Sequence, residues 1–496
     1  MTHALLRGRT VLAAATLLAL AACAGTPNRL GSPTLRDNVP LAGLQAPVRP
    51  GWPAASWWRQ YDDPQLDGLM DRAMRQSPDL ALAQSRVQNA DQSARLAAAQ
   101  LGLSVNGNAQ VSRTRMSDHG LIPSKFLGFS WYNQADLGVQ LQYDFDWWGK
   151  KRATMEAALD QAHAAEAQRS AAALAIQYAV ADTYFGWQAD QARLQLADQL
   201  LATQQQLMHI AELRVRQGVD LPDEAQKAGA QLAAVREMRV ALDGSANIRR
   251  AALASLLGVT PAQLPQLKAR PLPTVALGIP AQAGLDLIAR RPDIAASRWQ
   301  VEAALKQTDA ARAEFFPDIS ITALAGLSSI DMGKLLTAGS RTFALTPALH
   351  LPIFNGGALE ANYGLSRAQL DAAVAQYDST VLVAAREVAT QALGAEQIAA
   401  RQHEQQAQID ADQQLLASAR ARMHQGVRDA RESLGAQAQL LQQRDAAAQL
   451  QAQALSTDLA LIKALGGGYR DNPSAAARTE SPSSSVTTGV ADHERH

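Results

Sequence analysis

The chain has 496 residues, with 46 Lys plus Arg against 46 Asp plus Glu, and is 47% hydrophobic but only 5% aromatic. Balanced charge gives no electrostatic footing for a nucleic-acid partner, and alanine-rich apolarity favours closely packed helices over a thick aromatic core. The lone cysteine, Cys23, excludes an intramolecular disulfide.

Arg7 and Arg9 precede an apolar run from Val11 to Ala22, too short to cross a bilayer comfortably and shaped like a secretory signal. The end of that run, Leu20-Ala21-Ala22-Cys23, resembles the bacterial lipoprotein processing site. By that resemblance residues 1–22 are removed and Cys23 becomes the acylated first residue. Ala24 stands where an Asp would resemble the signal for inner-membrane retention, so sorting to the outer membrane is expected. Residues 23–76 then form a tether and a short helix: a Pro- and Gly-rich leader to about Pro53, an aromatic cluster, a turn at Asp63-Pro64 and an amphipathic helix carrying Leu66, Leu69 and Met70.

A first repeat is expected over 77–260. Its opening helix runs from about Pro78 to Gln100. The segment SVNGNAQVS follows, with Val105, Gly107, Ala109 and Val111 alternating against Ser104, Asn106, Asn108 and Gln110. After a loop containing Gly120, Pro123 and Gly128 comes DLGVQLQYDFDWW. It sets Leu137, Val139, Leu141, Tyr143, Phe145 and Trp147 on one face and Asp136, Gln140, Gln142, Asp144 and Asp146 on the other. From Lys150 to Arg216 the sequence is built of good helix formers without proline, predicting one helix roughly 100 Å long. A turn at Gly218 reverses the chain into a partner helix from about Pro222 to Leu257.

Prolines 261, 265, 271, 273 and 280 mark an inter-repeat linker over 261–290. The second repeat, 291–468, replays the first. Pro78-Asp79-Leu80 corresponds to Pro292-Asp293-Ile294, strands are expected from Ile319 to Ser328 and from Thr342 to Leu351, and Arg214–Gly218 corresponds to Arg422–Gly426. The offset falls from 214 at Asp79 and Asp293 to 208 at Gly218 and Gly426, a loss expected in the strand-to-strand loop. Residues 469–496 lack periodicity and read as a disordered tail.

Leu196, Leu200, Leu207 and Ile210, and likewise Val374, Tyr377, Val381, Ala384 and Val388, have coiled-coil spacing. On the helices alone, a periplasmic coiled-coil adaptor or structural lipoprotein fits as well as anything else. Four amphipathic strands of about ten residues, attached to such helices, point instead to an outer-membrane barrel. An open sheet edge has no partner in hydrocarbon, and four strands enclose no pore, so a channel requires oligomerisation. The polar faces supply the pore-lining candidates Asn106, Asn108, Gln140, Gln142 and Asp144; Val139 and Leu141 are expected to face lipid. Phe145, Trp147, Trp148, Phe315 and Phe316 suit the periplasmic interface.

Searching for chemistry yields neither cofactor nor metal site. His403-Glu404 lacks the second His of a zinc-protease helix, and no phosphate-binding loop occurs. Asp144 and Asp146, on one face of a strand, read as solvated pore lining, not as a catalytic pair. No enzymatic activity is expected, and nothing in the chain supplies energy for transport.

The Trp57-Trp58 pair, the Asp63-Pro64 turn and the following Leu66 closely resemble the mature amino-terminal motif of NodT-type efflux outer-membrane lipoproteins. As far as about Gly468 the chain resembles the wider TolC/OprM-like outer-membrane factor family. The resemblance implies a mostly α fold with a membrane β-barrel: a homotrimer whose twelve-stranded barrel continues into a long twelve-helix α-barrel, each chain being a tandem structural repeat. It also implies an exit duct for small molecules in a tripartite efflux system, with a periplasmic adaptor and an inner-membrane transporter as partners. Arg214–Gly218 and Arg422–Gly426 resemble the family's Arg-aromatic-x-x-Gly turn signature, with Val215 and Met423 in the aromatic's place. Glu224 and Glu432 lie six residues after each glycine, where the family commonly has a constriction Asp. Arg428 matches a position from which some relatives reach the first-repeat acid. The resemblance thus makes Glu224, Arg428 and Glu432 candidates for a periplasmic gate, while the same charges read equally as solvated helix ends.

Overall fold

The computed structural model describes residues 27–36, 38, 49, 51–117, 119, 124–280 and 283–470. The signal segment, the acylation site at Cys23 and the tail beyond 470 lie outside them. The chain divides into two compact units. One holds Leu82–Arg169, Ala296–Thr380 and the segment ending at Arg36; the other holds Asp37–Ala81, Ser170–Ala295 and the chain from Val381 onward.

In chain order the main elements are α1 (Pro64–Gln76), α2 (Pro78–Ala99), β1 (Ser104–Arg115), β2 (Trp131–Phe145), α3 (Lys150–Arg216), α4 (Pro222–Leu256), α5 (Ala283–Arg290), α6 (Pro292–Ala313), β3 (Asp318–Ser329), β4 (Arg341–His350), α7 (Ala358–His424) and α8 (Ala430–Ala464). The duplication is exact in the long helices. α2 and α6 have 22 residues each, α3 and α7 have 67, and α4 and α8 have 35.

The missing six residues are not all in the loop. That loop covers 116–130 in the first repeat and 330–340 in the second, but β2 has 15 residues and β4 only 10, while the strand-to-helix connection lengthens from 146–149 to 351–357. β4 tolerates Pro347 in its ladder opposite Ile321 and stops at His350, just ahead of Pro352. Gly356 and Gly357 then take φ of 64° and 86° in the bend.

The four strands form one antiparallel sheet in the order β1-β2-β3-β4. In-register pairing keeps each face chemically uniform: Asn106 opposes Gln140, and Gln142 opposes both Ser104 and Thr322, while Val105 opposes Leu141 and Tyr143 opposes Ile321. Gly138 and Gly326 meet across β2 and β3; a Cβ on Gly326 would stand 2.5 Å from the Leu137 carbonyl oxygen, so the strands approach there only without a side chain. Among the described residues, β1 and β4 each keep one unpaired edge.

β2 ends at Phe145, two residues before the predicted limit. Asp146 has left the strand, and its carboxylate accepts from the Lys151 N–H (3.0 Å) and the Arg152 N–H (2.8 Å) at the start of α3. Placing it on the pore face was therefore wrong: alternation continued in the sequence after the ladder had stopped, and two orphan amides at the helix start claimed the carboxylate.

In the second unit, Asp63 caps α1 by accepting from the Gln65 N–H at 2.9 Å, ahead of Pro64 at the first helical position. Leu66 and Met70 of α1, with Trp57 and Tyr61, are buried in one cluster with Tyr184 and Phe185 of α3, Leu253 of α4 and Leu455 and Leu459 of α8. Its buried acids are paired. The Tyr61 hydroxyl donates to Asp458 at 2.6 Å and the Arg49 guanidinium at 3.2 Å, while Tyr184 and Arg270 donate to Asp63 at 2.6 and 3.0 Å. Of the predicted seam in α3, Leu200 is buried against Val235 and Leu441 and Leu196 packs partly buried beside it, while Leu207 and Ile210 stay half-buried.

Candidate functional site

Two places carry charge and shape beyond what packing needs. The first is the sheet. Asn106, Asn108, Gln140, Gln142 and Asp144 share one face with Asp136, Ser320, Thr322 and Thr346. Asp136 accepts from the Ser328 hydroxyl at 2.6 Å and from the Gln134 amide at 3.1 Å. Asp144 is held by the Lys151 ammonium at 2.8 Å, which also donates to the Gln100 carbonyl at 2.8 Å. Asp144 therefore faces the polar side as half of an ion pair.

The opposite face is apolar and uncovered: Val139 is 43% exposed, Leu345 71% and Phe343 76%. An apolar surface spread over four strands is not left in water by a soluble monomer. At the helix end of the sheet the predicted aromatics converge. Trp148 stacks on Phe316 (4.5 Å between centroids, 17° between planes) and donates to the Pro317 carbonyl at 3.0 Å. Phe145 lies 5.0 Å from Tyr143 and 5.9 Å from Trp147. Among the described residues no helix is long and apolar enough to cross a membrane, and no His, Cys, Asp and Glu group could hold a metal ion.

The second place is the pair of hairpin turns. Gly218 and Gly426 have φ of 70° and 69°, which glycine adopts freely. In each turn the same two bonds close the helix: Gly218 N–H to Val215 and Val219 N–H to Arg214, then Gly426 N–H to Met423 and Val427 N–H to Arg422, all 2.9–3.0 Å. The turn motif at Arg214, Gly218, Arg422 and Gly426 thus corresponds to one conformation used twice.

Around it lies a charge network. Arg214 grips Asp220 with two bonds, 2.7 and 2.9 Å. Asp220 also accepts from Arg431 at 3.2 Å, and Arg431 in turn holds Asp429 at 2.9 Å. The bonds from Arg214 hold the Asp220 carboxyl below its usual value. Glu432 receives Arg422 and, at 3.5 Å, Arg428, whereas Glu224 receives Lys227 at 2.8 Å. Within the chain Glu224 and Arg428 thus bind different partners, and Arg431 with Asp220 joins the two hairpins instead. Sequence reading missed Asp220, Lys227, Asp429 and Arg431. A signal for part of this was present: at the 208 offset, Asp220 and Asp223 of the first turn become Arg428 and Arg431 in the second. Beside the turns a groove of about 740 Å³ lies between α3, α7 and α8, with Gln206, His209, Ile210, Met423, His424 and Leu434 in its walls.

A sheet polar on one face and bare and apolar on the other, each half continuing into a 67-residue helix and its 35-residue partner, defines a membrane channel subunit. Residues 69–259 and 285–467 match the family model "Outer membrane efflux protein", and the chain belongs to that family. It is 32% identical over 446 residues to the multidrug resistance outer membrane protein MdtP of Escherichia coli (strain K12), covering 88% of this chain and 90% of that protein. The outer membrane protein VceC of Vibrio cholerae superposes with a TM-score of 0.76 at 31% identity, over 84% of this chain and all of that one. The Campylobacter jejuni CmeC outer membrane channel shares the fold, with a TM-score of 0.82 at 23% identity over 92% of this chain and 97% of that one. The chain is an outer-membrane efflux channel that extends into the periplasm, and the adaptor and structural-lipoprotein readings fall away.

Proposed function

We propose that three copies of the chain close their sheets into a twelve-stranded barrel, continued by a twelve-helix α-barrel, and that this homotrimer is the passive exit duct of a tripartite efflux system. The observation that carries the assembly is the open sheet: two unpaired edges and an exposed apolar face are tolerated in hydrocarbon only when neighbouring copies complete the ring. Asn106, Asn108, Gln140 and Gln142 then line the lumen, and Val139 and Leu141 meet lipid. A periplasmic adaptor and an inner-membrane transporter supply contact and energy, and the naming of relatives for multidrug resistance supports small-molecule drugs as cargo. Acylated Cys23 anchors the mature start, and residues 77–260 and 291–468 act as the two repeats.

At the periplasmic end, Glu224, Arg428 and Glu432 act with Asp220 and Arg431 as the gate. Each pair is weak alone when exposed, but threefold symmetry multiplies it. Adaptor binding opens the gate by favouring the open state. The test is conductance in planar bilayers combined with thiol labelling. Cysteines at Asn106, Asn108, Gln140 and Gln142 should react with water-soluble reagents and alter conductance, while those at Val139 and Leu141 should not. Equal reactivity of the two sets, or correctly purified trimers that never conduct, would refute the assignment.

A further inference from the structure

The apolar face of the sheet ends differently at its two ends. At the helix end it closes on aromatics, Tyr143 and Phe145 on β2. At the loop end it closes on arginine. Along β1 the positions on this face run Val105, Gly107, Ala109 and Val111 and then Arg113 and Arg115, which stand opposite Asn133 and Trp131 of β2. Arg341 heads β4 on the same face but at the opposite edge of the sheet, level with Leu327, Leu137 and Ala109 and so four residues short of Arg113. All three arginines are exposed.

Among the described residues no carboxylate lies within ion-pair distance of any of them; Asp331 pairs with Lys334, at 3.6 Å. The Arg113 guanidinium lies 5.5 Å from the centre of the Trp131 ring, a contact that orients it without neutralising it. Arg113 and Arg115, with no carboxylate beside them among the described residues, favour an anion on a lipid-facing surface, because a guanidinium at the edge of hydrocarbon is stable only where it reaches headgroups. Since the helices enter the periplasm, the arginine end faces the cell exterior.

We propose that Arg113 and Arg115, neighbours on one face of β1, form a binding site for the phosphate groups of the phosphorylated glycolipid in the outer leaflet, whose acyl chains lie along Val111 below. Guanidinium matches phosphate with two parallel N–H bonds, a geometry that lysine cannot reproduce. Trp131 belongs at the same depth, where indole rings gather between hydrocarbon and water. The site rests on the barrel reading given above, which fixes this face toward lipid.

The experiment uses the full-length protein reconstituted in phosphatidylcholine vesicles with or without diphosphoryl lipid A. The readouts are lipid A retained through detergent extraction and the temperature at which the oligomer dissociates. Wild-type protein should retain lipid A over phosphatidylcholine and gain thermal stability from it. R113Q/R115Q should bind it about fivefold more weakly for each arginine removed, R113K/R115K should fall between, and millimolar inorganic phosphate should not compete. Equal retention of both lipids by wild-type protein, which needs no variant to fold, would overturn the site, as would undiminished retention by R113Q/R115Q or displacement by free phosphate. Conductance separates the two readings. A wild-type channel that conducts but ignores lipid A loses only this site, whereas a protein that neither inserts nor conducts loses the barrel as well.

Discussion

Arginine placed at Val139 or at Gln140 changes the same strand at neighbouring residues, and the two substitutions should differ by orders of magnitude. On β2 the apolar face runs from Ala135 to Phe145. Those ten steps cover about 34 Å along the strand at 3.4 Å each, or about 26 Å of membrane depth at a tilt of roughly 40°, close to the apolar band of outer-membrane barrels. Val139 lies four steps from one end and six from the other, within about 3 Å of the midplane. Val139→Arg should therefore cost about 2–4 kcal/mol per chain, roughly thirtyfold to several-hundredfold in the insertion equilibrium. Gln140→Arg projects into the polar face and should change stability by no more than about 0.5 kcal/mol. The assay is refolding of purified chain into lipid vesicles across a urea series, read by heat-modifiable gel migration and tryptophan fluorescence. Similar shifts for the two variants, or a larger shift for Gln140→Arg, would refute the assignment of faces, since a slip of one residue exchanges them.

Mass spectrometry of the mature amino terminus should find acylated Cys23, and Cys23→Ser should release that anchor while trimers still insert; an unmodified terminus elsewhere in the leader would disprove the processing. Glu224→Gln combined with Arg428→Ser should raise single-channel conductance, and unchanged conductance in assembled trimers would count against the gate. Tyr61→Phe should cost about 1.5–3 kcal/mol at neutral pH, because it takes the hydroxyl donor from a buried carboxylate. Burial raises Asp458 above its usual 3.8, so the folded chain keeps a proton that the unfolded chain has released. The penalty is therefore present above the raised value and stability improves as pH falls through it, so the Tyr61→Phe deficit should shrink in acid. A denaturation midpoint deficit that stays unchanged as pH falls from 7 to the unfolded aspartate value would contradict this.

The helices were legible because their signals are local. Uninterrupted helix formers predicted Lys150–Arg216, which is the observed range of α3, and the burial of Tyr377, Val381, Ala384 and Val388 follows their spacing. The sheet faces were legible because alternation survives pairing. Asp146 was misplaced because a period of two does not say where a strand ends, and the length difference between repeats was put in one loop because an offset gives a sum, not its parts. The Asp220–Arg431 link was only partly legible. The charge reversal between the two turns marks both residues as a complementary set, but nothing local says which acid of one turn meets which arginine of the other, 211 residues away.

Equal helix lengths beside unequal strands restrict how such a chain can change size. One residue added to α3 alone would turn everything beyond it by about 100° and advance it by about 1.5 Å, taking Gly218 out of step with α4 and with its counterpart Gly426. The 116–130 and 330–340 connections meet no such demand, and β2 and β4 already differ. Growth or loss in the helical part can proceed only by matched steps in all four long helices, whereas the outer loops are free to vary one residue at a time. The chain thus has a fixed gauge on its periplasmic side and an adjustable rim where it meets the outside.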